Sequence, residues 1–414
     1  MSENTVQLTP ELVENPVGAY AGFRTRAELP RVVLPELRTP VRLVTRYADV
    51  RAALTEPRLI RDRSKVPGGA GGPDPQAELA AAAFEGFPAE YAKYLTGHLA
   101  LFDGAEHARR RAPLTRAFTA RRIAALRSFV ERSAGELVRG LAAAGEAADL
   151  LGEFAYPLTT SVVCELVGVD EADRPRVCAW IRDFAYGDGG RTTDGLIGIV
   201  EYVKELIARR RAEPTEDLVS ALVRGGAEEP PLTEDELVSV VLLLVNTGIT
   251  PPALFLAHAV LALFDHPEEL ARLRAEPGLL ERAVPELLRH VTLVRIGASL
   301  YATEDFEFAG TALRKGETVT VALLAANHDP QEYGHAPERL DITREFGRGD
   351  GHLAFGHGAH YCLGAALGRL VTSVVLDQVL VRRPDTALAV GRDELEFGHW
   401  PADGFHLLRL PVRF

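Results

Sequence analysis

Cysteine is scarce in this 414-residue chain, with Cys164, Cys178 and Cys362 the full set. An odd and scattered set implies no disulfide framework. Lysine is nearly absent beside arginine, at Lys65, Lys93, Lys204 and Lys315 alone, a bias that GC-rich coding produces. Positive charge is in deficit, and the net charge of −12 argues against general nucleic-acid binding. The opening Met1-Ser2-Glu3-Asn4 has no basic-then-apolar leader, and no long apolar span follows. A soluble, cytoplasmic protein without membrane attachment is expected. No Gly/Ser linker or shift in composition divides the chain, although length alone favours about two or three domains. A hydrophobic content of 47% can bury one large core.

What is present concentrates near the C-terminus, in Phe355-Gly356-His357-Gly358-Ala359-His360-Tyr361-Cys362-Leu363-Gly364. Three glycines (Gly356, Gly358, Gly364) open backbone shapes closed to other residues. Cys362 sits just before an apolar helical run, Ala365 to Val375. A cysteine at a helix N-terminus feels the positive end of the macrodipole, which favours thiolate. A thiolate bound axially to haem iron promotes O–O cleavage. Three blander readings compete. A lone cysteine is usually a small buried hydrophobe. His352, His357 and His360 would suit zinc, but structural zinc sites repeat short paired spacings and none repeats here. A nucleophilic cysteine would need a base, and His360 is a possible one. The stretch alone leaves these alternatives open.

The stretch resembles the haem-binding loop of the cytochrome P-450 family, Phe-x-x-Gly-x-(His/Arg)-x-Cys-x-Gly. Phe355, Gly358, His360, Cys362 and Gly364 match in register. Further segments follow in the family's order from roughly Arg46 to the end. The resemblance implies a mostly α fold with a smaller β-rich region, in which a long central helix lies over a buried haem b. It implies one domain over 1–414: a lead-in at 1–40, a body with lid and hairpins at 41–345, and the cysteine loop, last long helix and C-terminal β region at 346–414.

His107 and Arg111 are four residues apart on one helical face, and the family uses such a pair to hold haem propionates. Arg109 and Arg110 point elsewhere, either as part of a basic docking patch for an acidic electron donor or as a solvated charged face. Pro67-Gly68-Gly69-Ala70-Gly71-Gly72-Pro73 reads as a loop, in the family a cover of the substrate pocket. The helical segments Pro175–Tyr186 and Asp194–Arg211 match the family's lid. Phe184 and Tyr186 near its tip are candidate substrate contacts, though core packing explains aromatics equally well.

Thr233 and Glu236 form a capping box that starts a long apolar helix, Leu237 to Phe264. It matches the family's central helix, whose signature is Ala/Gly-Gly-x-Asp/Glu-Thr. The aligned residues are Asn246-Thr247-Gly248-Ile249-Thr250, which puts Ile249 where a proton-relaying acid is usual and leaves Thr250 to position oxygen or water. Pro251 and Pro252 cost about 3 kcal/mol each in a regular helix, so a bend or opening is expected, with the Thr247 and Gly248 carbonyls freed.

Glu286 and Arg289, with Arg339 as third partner, match a structural clamp of the family. Phe306–Gly310 and Glu317–Val321 alternate like two strands of a hairpin turned at Lys315-Gly316. Leu300 stands where the family usually places a propionate-binding arginine. Arg295, amid apolar neighbours, needs an anion; a haem propionate, or a carboxylate or phenolate on the substrate, is expected, unless the side chain reaches solvent with its stem packed, with Val294 beside it as a pocket contact.

The implied function is O2 activation by a haem-thiolate monooxygenase of bacterial secondary metabolism. The substrate is expected to be a small lipophilic or aromatic molecule, hydroxylated or epoxidised. Electrons are expected from a separate ferredoxin and its NAD(P)H-dependent reductase, and the protein is expected to be a monomer. Oxidative C–C, C–N or C–O coupling is the alternative, slightly favoured by the missing acid. A non-catalytic helper of this fold is opposed by the presence of Cys362.

Overall fold

The computed structural model describes residues 5–414 except 14, 16–17, 67–73, 85, 146, 187–189, 226–230, 348, 350 and 401–403; of 82–84, 185–186 and 399–400 it describes the backbone only. The loop Pro67–Pro73 and the side chain of Tyr186 thus lie outside the described residues.

The helices of at least twelve residues are α1 (Gly104–Ala117), α2 (Ala120–Ala144), α3 (Tyr156–Val167), α4 (Arg174–Tyr186), α5 (Gly190–Ala212), α6 (Glu234–Asp265), α7 (Leu280–Val291) and α8 (Ala365–Leu376). Their ends follow from local chemistry. Thr119 accepts from the Arg122 amide to start α2, and Gly145 closes it in the left-handed region at φ 71°. Thr233 and Glu236 cap α6 reciprocally, as the sequence predicts. α6 is apolar nearly all round because it runs through the core, with α3, α5, α7 and α8 packed about it. It continues through Pro251 and Pro252 as one helix, so the expected opening does not occur. Proline still withholds two amides, and the Thr247 and Gly248 carbonyls receive no i+4 donor.

α6 and the stretch Leu150–Val167 are long and apolar enough to cross a membrane, contrary to the expected lack of such spans. Both contribute many buried residues to the main core cluster.

A six-stranded sheet stands beside the helices in the order β1-β2-β3-β6-β5-β4, formed by Val6–Gln7, Arg31–Val33, Pro40–Val44, Leu59–Ile60, Leu300–Ala302 and Thr318–Val321 as β1 to β6. The expected lead-in before residue 41 is therefore part of the sheet. Phe306–Phe308 pairs with Thr311–Leu313, not with Thr318–Val321, which joins β3 and β5 instead. The reason is local: Ala309 (φ 47°) and Gly310 (φ 76°) make a two-residue turn with both φ positive, the form that matches strand twist.

Candidate functional site

The Cys362 loop is tied at both ends. The Cys362 amide donates to Phe355 O (2.9 Å) and that of Gly356 to Leu353 O (2.9 Å). Gly358 needs its identity twice over: φ is +74°, and a Cβ would lie 2.8 Å from Leu54 O. Cys362 is an exposed residue, yet its sulfur has much protein around it. Burial pushes its thiol pKa up; the Gly364 amide, Arg111 and Arg369 pull the other way. The Arg369 guanidinium lies 5.0 Å over the Phe355 ring and donates to Tyr361 Oη (2.9 Å).

α1 brings its pair to this loop. Arg111 donates to the Tyr361 carbonyl, and the buried His107 ring lies 4.1 Å from that of His360. Burial first, then the neighbouring cations, hold His107 down at about 4. His360 turns Nε2 towards Asp103 (3.6 Å). Among the described residues no cluster of three His, Cys, Asp or Glu is placed to hold a metal ion, so zinc is not supported. An enclosed sulfur fringed by donors, with His107 Nε2 buried and unpartnered among the described residues, fits a haem bearing propionates.

The clamp is geometrically clear. Arg289 Nε and Nη2 fork onto both oxygens of Glu286, each at 2.7 Å, and both side chains are fully buried. Arg289 Nη1 also donates to Asn327 O (2.8 Å) and Pro337 O (2.7 Å). Asn327 Oδ1 then accepts the Leu353 amide (2.7 Å), at the root of the cysteine loop. The third partner differs from expectation. Arg344, not Arg339, supplies the guanidinium on Glu286 (3.1 Å), while Arg339 offers only its backbone carbonyl to Arg289 (3.1 Å). Asn327 and Arg344 went unnoticed in the sequence because each acts across a long chain separation.

The centre of α6 also departs from expectation. Ile249 is buried at 2% exposure in the main core and so faces away from the open side of the helix. A Cβ on Gly248 would meet Val163 of α3 at 2.9 Å. The exposed residues are Asn246 and Thr247, and Thr247 Oγ1 donates back to Leu243 O (2.7 Å). Thr250 faces the hydroxyl of the half-buried Tyr156 and favours its ionised form, against the burial that raises its pKa.

Arg295 is buried, and the bonds of its guanidinium run to protein rather than to the sites expected for it. It donates to Phe405 O (2.9 Å) and Leu293 O (3.2 Å), with His406 Nε2 at 3.3 Å. It lines a cleft of about 1010 Å3 together with His258, His266, His290 and Arg392, to which the Cys362 loop contributes no lining residue. Arg295 is thereby tied to the C-terminal hairpin. Its neighbour Val294 is 44% exposed, unusual for a large apolar side chain. Phe184 packs partly buried on the core, its ring 6.4 Å from Phe87. Arg109 and Arg110 are not a free basic patch: both pair with Glu106, and both reach Glu236.

Comparison with known proteins gives one consistent set. The Cytochrome P450 family profile matches residues 196–382. A vitamin D(3) 25-hydroxylase of Pseudonocardia autotrophica is 35% identical, with 93% of this chain and 90% of that protein covered. A mycinamicin IV hydroxylase/epoxidase of Micromonospora griseorubida is 36% identical, covering 89% and 88%. Among solved structures, the mixed-function P450 MycG, as a mutant in complex with mycinamicin IV, superposes with a TM-score of 0.86 at 33% identity, covering 99% of this chain and 100% of that one.

Proposed function

Because the chain belongs to the cytochrome P450 family, a haem-iron monooxygenase lineage, we propose that it hydroxylates or epoxidises a polyketide-derived macrolide or a lipophilic molecule of similar bulk. The observation that carries this reading is the Cys362 sulfur, accessible and enclosed at once. Haem b fits there as the bound cofactor, and it supplies oxygen activation at a thiolate-ligated iron. Cys362 would hold the haem iron through its sulfur, with the charge there moderated by the Gly364 amide and by Arg111 and Arg369. His107, Arg111 and His360 hold the propionates; Phe355 shields the sulfur. Val294, Phe184 and Tyr186 contribute substrate contacts, and Thr250 keeps its place through Tyr156. A ferredoxin and its NAD(P)H-dependent reductase deliver the electrons, in the cytoplasm, to a monomer.

Oxidative coupling remains a second reading on one observation: residues 237–264 of α6 contain no carboxylate. A phenolic substrate that brings its own protons would suit such a helix. The test joins a ferrous carbon-monoxide spectrum to a substrate screen by haem spectral shift. Macrolides, secosteroids and bis-phenols form the panel, followed by turnover with a surrogate ferredoxin pair. A strongly red-shifted Soret band and an oxygenated macrolide are expected. An unshifted band rejects the thiolate; a coupled, oxygen-free product replaces the first reading with the second.

A further inference from the structure

The arginine absent at Leu300 has a counterpart on the neighbouring strand. β4 and β5 pair antiparallel with Leu59 opposite Ala302 and Ile60 opposite Tyr301. The Thr303 amide donates to Arg58 O (2.9 Å), which holds the same register one step earlier. Arg61 follows directly where β4 ends, its amide turned to Asp103 Oδ2, and continuing the β4–β5 register by one residue sets it across from Leu300. Directly opposed residues of an antiparallel pair project to the same face. A guanidinium at 61 thus emerges beside the place from which one at 300 would have emerged.

The surroundings of Arg61 ask for an anion. Its guanidinium is deeply buried, and burial lowers its pKa to about 10. Nη1 donates to Ala100 O (3.3 Å), but Nε is buried with no partner among the described residues. His98 Nδ1 and His107 Nε2 are in the same condition. The charge of Arg61 is felt at His98, His107 and His360. Asp103 is the carboxylate of this group, and its Oδ2 is occupied by the backbone amides of Arg61 and Asp62, both at 2.7 Å. Donors therefore exceed acceptors in a desolvated place, which is costly unless an anion arrives with the ligand.

We propose that Arg61 binds a haem propionate, replacing across the β4–β5 ladder the arginine that Leu300 omits. The proposal rests on the haem reading above. It changes how the cradle is assembled: Arg61 and Arg111 approach from different elements, with His107 and His360 stacked between the loop and α1.

The experiment measures haem transfer from the holoenzyme to excess apomyoglobin for the wild type, Arg61→Gln and Arg61→Lys. It is repeated after reconstitution with protohaem dimethyl ester, which lacks the propionate charges. Loss of a charge-assisted bond should speed protohaem release in Arg61→Gln about 10- to 100-fold, with Arg61→Lys between. With the ester, wild type and Arg61→Gln should release at the same rate. Equal protohaem release by wild type and Arg61→Gln overturns the proposal. So does an Arg61→Gln effect of the same size with the ester, which would mark a structural role. The ferrous carbon-monoxide band of the wild type is recorded alongside. Its failure to red-shift would sink the thiolate reading independently of Arg61.

Discussion

Two sides of the site, the Cys362 loop and the centre of α6, are fixed by different means. The loop is held through a relay of bonds: Glu286 to Arg289, Arg289 to the Asn327 carbonyl, Asn327 Oδ1 to the Leu353 amide, and Phe355 O to the Cys362 amide. The centre of α6 has only its rotation about the helix axis, set by what packs behind it. Ile249 is locked in the core and Gly248 lies against Val163, so Asn246 and Thr247 are left on the open side. A bonded loop constrains residue identity position by position. A packed helix constrains volume and leaves identity on the open face to the substrate.

The largest break is expected at the sulfur. Cys362→Ala should abolish both turnover and the red-shifted carbon-monoxide band, while Arg111, His107 and His360 continue to retain some haem. A variant that keeps the band would move the ligand elsewhere. Next comes the clamp, where truncating a fully buried pair costs about 3–5 kcal/mol. Glu286→Ala should therefore lose that much in urea unfolding and purify poor in haem. Arg344→Ala should lose less, and Arg339→Ala, whose role is its carbonyl, should stay within about 0.5 kcal/mol. The reverse order of the two arginines would restore the pairing expected from sequence.

Legibility followed the same division. The cysteine loop, the His107–Arg111 pair and the Glu286–Arg289 pair were legible because their spacing is short and their chemistry local. Arg344 was not: its guanidinium reaches Glu286 across 58 residues. Which face of α6 is open was not legible for a different reason. Apolar residues on nearly every side leave no amphipathic stripe from which to read which face is open. Arg295 was assigned an external anion because nothing near it in sequence is acidic. Its partners lie 110 and 111 residues away, in a carbonyl and a histidine of the C-terminal hairpin. The Phe306 strand pairing turned on a choice between two glycine turns, and a main-chain property of Ala309 decided it.

On the helix side, Ile249→Glu sharpens the comparison. If Ile249 faced the haem, a carboxylate there would raise the share of reducing equivalents that reach product. Buried at 2% exposure, it should instead bring an unpaired charge into the core and lower stability by several kcal/mol. A stable Ile249→Glu enzyme with improved coupling would place that residue on the open face after all.

A pH scan separates the two sides by electrostatics. His98 and His107 are held at about 4 in the folded protein against about 6.5 unfolded. The folded protein thus binds fewer protons between those values. Their contribution to stability is present above pH 6.5 and is lost as pH falls towards 4. For haem-free protein the urea midpoint should drop between pH 7 and pH 5, by on the order of 1–2 kcal/mol in stability. His98→Gln should flatten the slope in part, and an unchanged slope would mean that the His98 ring is not held neutral by the fold.

The smallest effect is expected on the open face of α6, where Asn246 and Thr247 are exposed and only a back-bond to Leu243 O involves the Thr247 hydroxyl. Stability should hardly notice a change there, since exposed positions usually vary within about 0.5 kcal/mol. Coupling should notice. Residues 237–264 carry no carboxylate, so the Asn246 amide, the Thr247 hydroxyl and the Thr247 and Gly248 carbonyls without i+4 donors are the polar groups that the exposed centre of that stretch offers to water. Asn246→Leu and Thr247→Val should each lower product per NADH about two- to five-fold, a barrier change of order 1 kcal/mol, and raise peroxide correspondingly. The urea midpoint should stay put. If neither variant changes the product-to-peroxide ratio with a good substrate, the substrate itself supplies the protons, and oxidative coupling becomes the better description of the reaction.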